Sequence, residues 1–306
     1  MKAALSSVVT WFGSFGDGRA ASATRPETRQ EQPRMQPAIE TPVAEPPAPP
    51  GAWTPTRLRF AAALWGEGFT GPGGEEEALR LSKPLGLHSS HSLLNLGAGL
   101  GGAARAITTA WGAWVSAYEQ DPDLAAAGEA LSKKAKLEKK AEVKVFDPAA
   151  PAFRPNYYHH ALVQEAFWTI ADKERTLAAL TKSVKPGGQV VITDLTLGAG
   201  PLSPEDETAR AWAQLDRSPA HLCSAEEETA LLLRHGLDLR IAEDISARHV
   251  SQAVAAWRGM IEVLVAQPPT RPQALLVIRE AELWLRRLAL IRSGRLRLMR
   301  WHALRR

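Results

Sequence analysis

Cysteine is almost missing from this chain: Cys223 is the only one among 306 residues. A single thiol excludes an intrachain disulfide framework and any multi-thiolate zinc or iron–sulfur centre, and it suits a reducing, cytoplasmic setting. Long apolar runs are missing too, since none reaches the roughly 18 to 20 residues of a membrane helix. His88 and His91 have no carboxylate or cysteine beside them to complete a ligand set, so no metal is expected. Nor is there much charge of one sign. The 37 basic and 33 acidic residues leave +4, too slight an excess to point to nucleic acid. That average hides an uneven distribution, because residues 271–306 hold ten Arg against two Glu while residues 1–56 carry five charges of each sign. The region between them is acidic.

Proline is concentrated near the start. Nine of 22 prolines lie between Pro26 and Pro55, with few large apolar side chains among them. Such a stretch cannot offset its ordering entropy by burial, so residues 1–56 are read as a disordered leader with polyproline II character. Inside it, Lys2, the Ala3–Phe15 stretch and Ala21-Ser22-Ala23 make a loose secretory pattern, interrupted by polar residues and by Asp17 and Arg19. An interfacial helix using Val8, Val9, Trp11, Phe12 and Phe15 is a second reading. Plain disorder is favoured over both.

From Glu75 onward, helical patterns alternate with short apolar runs, the rhythm of a doubly wound, mostly parallel sheet in an α/β fold. The expected strands are Leu93–Leu96, Trp114–Tyr118, Val143–Phe146, Ala161–Gln164, Gln189–Thr193 and Leu237–Ala242. Helices are expected at Gly102–Ala110, Pro122–Lys136 and Asp172–Val184. The first strand runs into Gly97-Ala98-Gly99-Leu100-Gly101-Gly102. Glycines there let the backbone turn tightly and a ligand approach closely, and the helix that follows offers free N–H groups. Glu119 ends the second strand, 20 residues after Gly99, where a carboxylate can accept both ribose hydroxyls of an adenosine. Together these predict a nucleoside cofactor without identifying it, because Gly97, Gly99 and Gly102 also have dinucleotide spacing.

Two later segments carry a resemblance. Lys185-Pro186-Gly187-Gly188-Gln189-Val190-Val191-Ile192-Thr193-Asp194 resembles the helix end, turn and fifth strand of class I methyltransferases that use S-adenosylmethionine, and Val143–Asp147 resembles their third strand. Upstream, Trp65-Gly66-Glu67-Gly68-Phe69-Thr70-Gly71-Pro72-Gly73-Gly74 is similar to the segment before the sheet in the phosphoethanolamine and sarcosine/dimethylglycine N-methyltransferase group. Leu296–Leu304 reads as the family's last, antiparallel strand, so the resemblance implies a seven-stranded Rossmann-like domain over 57–306.

The family further implies that Gly97, Gly99 and Gly101 cradle the amino-acid part of S-adenosylmethionine, that Glu119 holds its ribose, and that Gln120, Asp147 and Pro148 lie by the adenine. Gln164 would contact the methionine amino group, Glu165 would face the methyl acceptor, and Trp65 and Phe69 would form a lid. The chain departs from the pattern at Asn95, where an acidic residue is usual, at Ala98 in place of a common Cys, and at Thr169, where a His is frequent. A Tyr before the glycine-rich lid is also missing, which disfavours phosphoethanolamine itself.

Methyl transfer from a sulfonium needs alignment above all, with a base only for a protonated or weakly nucleophilic acceptor. Glu165 is the candidate base and an amine nitrogen of a small molecule the favoured acceptor. His159 and His160 fall at the start of the fourth strand, at the end of the sheet away from the cofactor. Residues 200–236 form a helical cap insertion in which Trp212, near Arg210, Arg217 and His221, either lines the acceptor pocket or packs the cap on the sheet. Cys223 reads as a small core residue. Helices are expected between Ala247 and Ser293, broken at Pro268-Pro269, with Leu283, Leu285, Leu288 and Ile291 facing inward. Arg286, Arg287, Arg292, Arg295, Arg297 and Arg300 recur there as a basic face, either solvated or meeting anionic lipid, an acidic partner or an anionic acceptor. Two competing functions remain: a cofactor-binding partner or scaffold that has lost transfer activity, and a nicotinamide-dependent oxidoreductase.

Overall fold

The alternating pattern builds one sheet of seven strands. They are β1 (Ser92–Leu96), β2 (Trp114–Glu119), β3 (Ala141–Val145), β4 (Tyr158–Gln164), β5 (Val184–Leu197), β6 (Leu237–Asp244) and β7 (Leu296–Arg305). Their order is β3-β2-β1-β4-β5-β7-β6, parallel from β3 to β5 and antiparallel at β7. The doubly wound, mostly parallel reading holds. The computed structural model describes residues 53–203, 205–216 and 220–306. The first 52 residues, with the signal-like and interfacial readings placed there, and Arg217 of the expected cap lie outside the described residues.

Both sheet faces are buried, as a parallel sheet requires. Alternation along each strand sends Leu94, Leu96, Ala161, Val163, Val190 and Ile192 into one core and Leu93, Val115, Ala117, Leu162 and Val191 into the other. Nine helices are described; eight of them are α1 (Pro55–Trp65), α2 (Gly74–Ser82), α3 (Gly102–Trp111), α4 (Pro122–Lys134), α5 (Lys173–Ser183), α6 (Glu207–Leu215), α7 (Ala225–Arg234) and α8 (Ser246–Ala266). The ninth, α9 (Arg271–Arg292), follows the break at 267–270, where Thr270 and Gln273 form a capping box and Pro272 enters the first turn. Helices α1, α8 and α9 share a third core built on Trp65, Trp257 and Trp284. Among the described residues no helix is long and apolar enough to cross a membrane.

Several boundaries move for physical reasons. Pro55 opens α1, with the Thr54 hydroxyl accepting from the Arg57 N–H at 3.2 Å, so this helix starts inside the stretch assigned to the leader. Lys185–Gly188 does not form a separate turn; β5 starts at Val184, and these residues bulge between the Tyr158–Val184 and His160–Gln189 pairings. The 200–236 insertion is not one cap. Only α6 packs on α9, through Ala209, Trp212, Leu283 and Leu290, whereas Ala225, Leu231 and Leu232 of α7 fill the core under the sheet. The arginines near the C-terminal end are not one face either. Arg286 pairs with Glu282, Arg295 with Asp206, Arg297 with Asp244 and Arg300 with Glu243, while Arg287 turns inward.

Candidate functional site

Strands β1 and β4 are neighbours, and the crossovers on their two sides diverge from them. This is the switch point of a doubly wound sheet, where a crevice opens beyond the carboxyl ends of the strands. A cavity of about 790 Å³ occupies that place, within the usual range for small-molecule sites. The loop after β1, the ends of β2 and β4, α1, the segment 68–72 and α9 all contribute to its wall.

The glycine loop is held by the strand beside it. The Gly97 and Ala98 N–H groups both donate to the Tyr118 carbonyl, at 3.0 and 3.1 Å. Glu119 lies almost buried, and its two oxygens accept from the Gly99 N–H at 2.7 Å and the Asp121 N–H at 3.0 Å. Burial pushes its carboxyl above the ordinary value, against the pull of those N–H donors. Gly99 sits at φ +53°, and a Cβ there would come within 3.1 Å of the Thr70 hydroxyl, closing the space between the loop and the lid segment. That segment is tied to the first turn of α3 by the Gly102 N–H donating to the Gly68 carbonyl at 2.9 Å.

Behind the loop, the amide orientations follow from one another. Asn95 is buried and donates from Nδ2 to the Leu162 carbonyl at 3.2 Å and to Gln164 Oε1 at 3.1 Å. Since the carbonyl can only accept, Asn95 Nδ2 is fixed, and Gln164 must present its oxygen to it. The NH₂ of Gln164 is then the donor left at the cavity wall. Thr169 bridges Gln120 in similar fashion, accepting from Gln120 Nε2 at 3.1 Å and donating to the Ala166 carbonyl at 2.8 Å. Two of the expected departures, Asn95 and Thr169, therefore brace residues of the wall.

Glu165 follows β4 in a left-handed conformation, φ +47°, pinned by its N–H donating to the Thr193 carbonyl at 2.7 Å. For a residue with a Cβ this costs about 1–2 kcal/mol. Strain of this kind, retained at a cavity wall, marks a site where a side chain must leave the strand direction. Its Oε2 lies 3.6 Å from Nη2 of Arg287, and the guanidinium rests 5.2 and 5.4 Å from the ring centres of Trp168 and Trp284. A second ion pair, Arg57–Glu280 at 2.6 Å, stands in the same wall. With Trp53, Phe60, Trp65 and Phe69 these residues give the cavity an aromatic half beside its glycine-rich half.

Gly97, Gly99, Glu119, Gln120, Pro148, Gln164, Glu165, Trp65 and Phe69 thus line one cavity. Three expected residues do not. Gly101 caps α3 at φ +71°, and a Cβ there would lie 2.6 Å from Val143 Cγ2, so it serves helix–sheet packing. Asp147 is exposed and accepts from the Ala149 N–H at 2.9 Å, holding its own turn, while Phe146 takes the cavity wall. Trp212 is 1% exposed behind Trp168, with ring centres 5.8 Å apart, and packs α6. Trp168 and Trp284 were missed as site residues, and Arg287 was named only within the basic face, an anionic acceptor being one of the readings there; the one further signal was that Trp284, Arg287, Leu288 and Ile291 share a helical stripe.

Two other titratable clusters stand apart. Asp194 and Glu228 are buried together, and burial pushes both carboxyls up, Glu228 to about 7. Burial pushes the half-buried Cys223 thiol beside Glu228 up to about 12, which disfavours the thiolate a nucleophile needs. At the opposite end of the sheet, the His91 ring centre lies 3.6, 4.7 and 5.0 Å from those of His88, His159 and His160. Among the described residues no group of three or more His, Cys, Asp or Glu is arranged to hold a metal ion.

A family model described as a methyltransferase domain matches residues 94–192. Over 149 residues the chain is 30% identical to phosphoethanolamine N-methyltransferase 2 of Caenorhabditis elegans, covering 47% of this chain and 33% of that protein. It is 26% identical over 215 residues to the chloroplastic tocopherol O-methyltransferase of Arabidopsis thaliana, covering 64% and 57% respectively. The chain thus spans between a third and somewhat over half the length of the curated relatives it matches. Among solved structures, phosphoethanolamine N-methyltransferase 2 of Haemonchus contortus, in complex with phosphomonomethylethanolamine and S-adenosylhomocysteine, superimposes with a TM-score of 0.69 at 22% identity over 83% of this chain and 58% of that one. A putative sarcosine dimethylglycine methyltransferase from Galdieria sulphuraria gives 0.62 at 20% identity over 81% and 96%. The resemblance to class I methyltransferases and their Rossmann-like fold therefore holds.

Proposed function

We propose that this chain transfers a methyl group from S-adenosylmethionine to a small-molecule acceptor, with an amine nitrogen as the favoured acceptor atom and Glu165 taking its proton. The observation that carries the reading is the meeting, in one cavity at the switch point, of the Gly97–Gly99 cradle, the Glu119 carboxylate and the strained Glu165. The first two fit the cofactor. Gly99 keeps open a space that a Cβ would begin to fill, and each Glu119 oxygen retains a lone pair for a ribose hydroxyl after accepting its backbone N–H.

When bound, the cofactor supplies a methyl group on a positively charged sulfur, a leaving group that needs no further activation. The Gly97–Gly99 backbone would hold the amino-acid portion, Glu119 the ribose, and Gln120, Phe146 and Pro148 the base. Gln164 presents an NH₂ rather than a carbonyl, so the methionine carboxylate suits it better than the amino group. Trp65 and Phe69 close the cavity from the α1 side and exclude water. Alignment in such a site is worth roughly 7 to 11 kcal/mol of barrier, and a positioned base adds about 10²- to 10⁴-fold.

The test is transfer of a labelled methyl group to a panel of amines and alcohols. The expected result is label on amines, with Glu165→Gln lowering kcat by about 10²- to 10⁴-fold at unchanged S-adenosylhomocysteine affinity. Label on alcohols alone reassigns the acceptor atom. A protein that binds S-adenosylhomocysteine but labels nothing is a partner or scaffold instead.

A further inference from the structure

We propose that Arg287 selects the acceptor, by docking an anionic group of the carboxylate or phosphate class carried on a flat, apolar body. This rests on the methyl-transfer reading and names the substrate class of that same site. Arg287 is 8% exposed and lines the cavity. A guanidinium carries five N–H donors and cannot shed its charge. Yet among the described residues its one ion-pair contact, to Glu165, spans 3.6 Å, longer than a hydrogen bond, and its buried Nε meets no hydrogen-bond partner there. The neighbouring cation of the wall, Arg57, is held by Glu280 at 2.6 Å.

A desolvated charge so weakly paired is costly unless something completes it. The indoles of Trp168 and Trp284 offset part of that cost and fix the plane of the guanidinium. They supply no acceptor for its N–H groups. An incoming carboxylate or phosphate does, with bidentate geometry, and it competes with Glu165 for the same cation. Occupation of Arg287 by the acceptor therefore frees the Glu165 carboxylate to meet the nucleophile, which couples recognition to the base. The apolar body follows from the rest of the wall: Trp53, Phe60, Trp65 and Trp284 offer ring surface that a small zwitterion leaves uncovered.

The experiment is calorimetric titration of protein saturated with S-adenosylhomocysteine, using indole-3-acetate, its neutral amide, tryptamine and phosphoethanolamine as probes. Indole-3-acetate is expected to bind about tenfold or more tightly than its amide, the worth of a charge-assisted pair. Arg287→Met should erase that ratio and Arg287→Lys keep part of it, while Arg286→Ala on the outer side leaves it intact. Cofactor affinity should be the same in all three. The proposal is overturned if the amide or tryptamine matches the acetate, if no indole binds, if phosphoethanolamine binds most tightly, or if Arg287→Met keeps the ratio. Loss of S-adenosylhomocysteine binding in the unaltered protein would instead remove the methyl-transfer reading, and this inference with it.

Discussion

His160 lies at the buried end of the histidine cluster and makes stability depend on pH in a calculable way. It is 8% exposed, and its Nδ1 accepts from the Gln189 N–H at 3.1 Å. Burial first, then the neighbouring His91, His159, His88 and His302, pull its pKa from 6.5 to about 4. Lys185, against His159 at 2.8 Å, and Arg300, near His302, add further positive charge. The folded protein thus holds His160 neutral where the unfolded chain would protonate it. Its contribution is complete above about pH 6.5 and is lost as pH falls from there toward 4. At 1.36 kcal/mol per unit, the loss is about 2 kcal/mol at pH 5. Glu228 opposes it, since a carboxyl raised from 4.5 to about 7 is relieved of its burial penalty as pH falls through that window. His91, His159, His249 and His302, also lowered by burial, act in the same direction as His160, so the slope of the unaltered protein mixes all of these and a variant must separate His160. His160→Asn keeps an acceptor for the Gln189 N–H and does not titrate. Urea denaturation at pH 7.5 and 5 should show the unaltered protein losing about 2 kcal/mol relative to His160→Asn. Parallel curves would refute the reasoning.

Glu228→Gln removes a buried charge, so at pH 8 it should stabilise the fold by roughly 3 kcal/mol, with the gain fading toward pH 5; denaturant midpoints check this, and an equal gain at both pH values contradicts it. Trp212→Ala should cost about 3–5 kcal/mol of stability and leave KM for the acceptor unchanged, because the ring packs behind the cavity wall; a raised KM with native stability would return Trp212 to the site.

The cofactor half of the site was legible because its parts are local. A strand, a glycine turn and a carboxylate 20 residues on lie within one βαβ unit, so spacing alone fixes their juxtaposition. Gly101, inside that unit, and Asp147, just after β3, fail in ways spacing does not record: one faces Val143 of β3, the other turns back on its own loop. The acceptor half was much less legible. Trp65 and Trp284, with ring centres 4.6 Å apart, and Arg57 and Glu280 meet across more than 200 residues of chain. Their helical stripes announce burial and say nothing of which helix they face. Arg287 illustrates the limit best, since its neighbour in sequence, Arg286, is spent on a surface ion pair with Glu282 and only the register of α9 turns Arg287 inward.

Calorimetric titration with S-adenosylhomocysteine tests the central claim most directly. The account predicts saturable binding at one site per chain in the unaltered protein. Gly99→Asp should abolish it, because that substitution sets a carboxylate beside Glu119 and a Cβ against Thr70. Absence of binding in the unaltered protein, or binding of NAD in its place, would contradict the account.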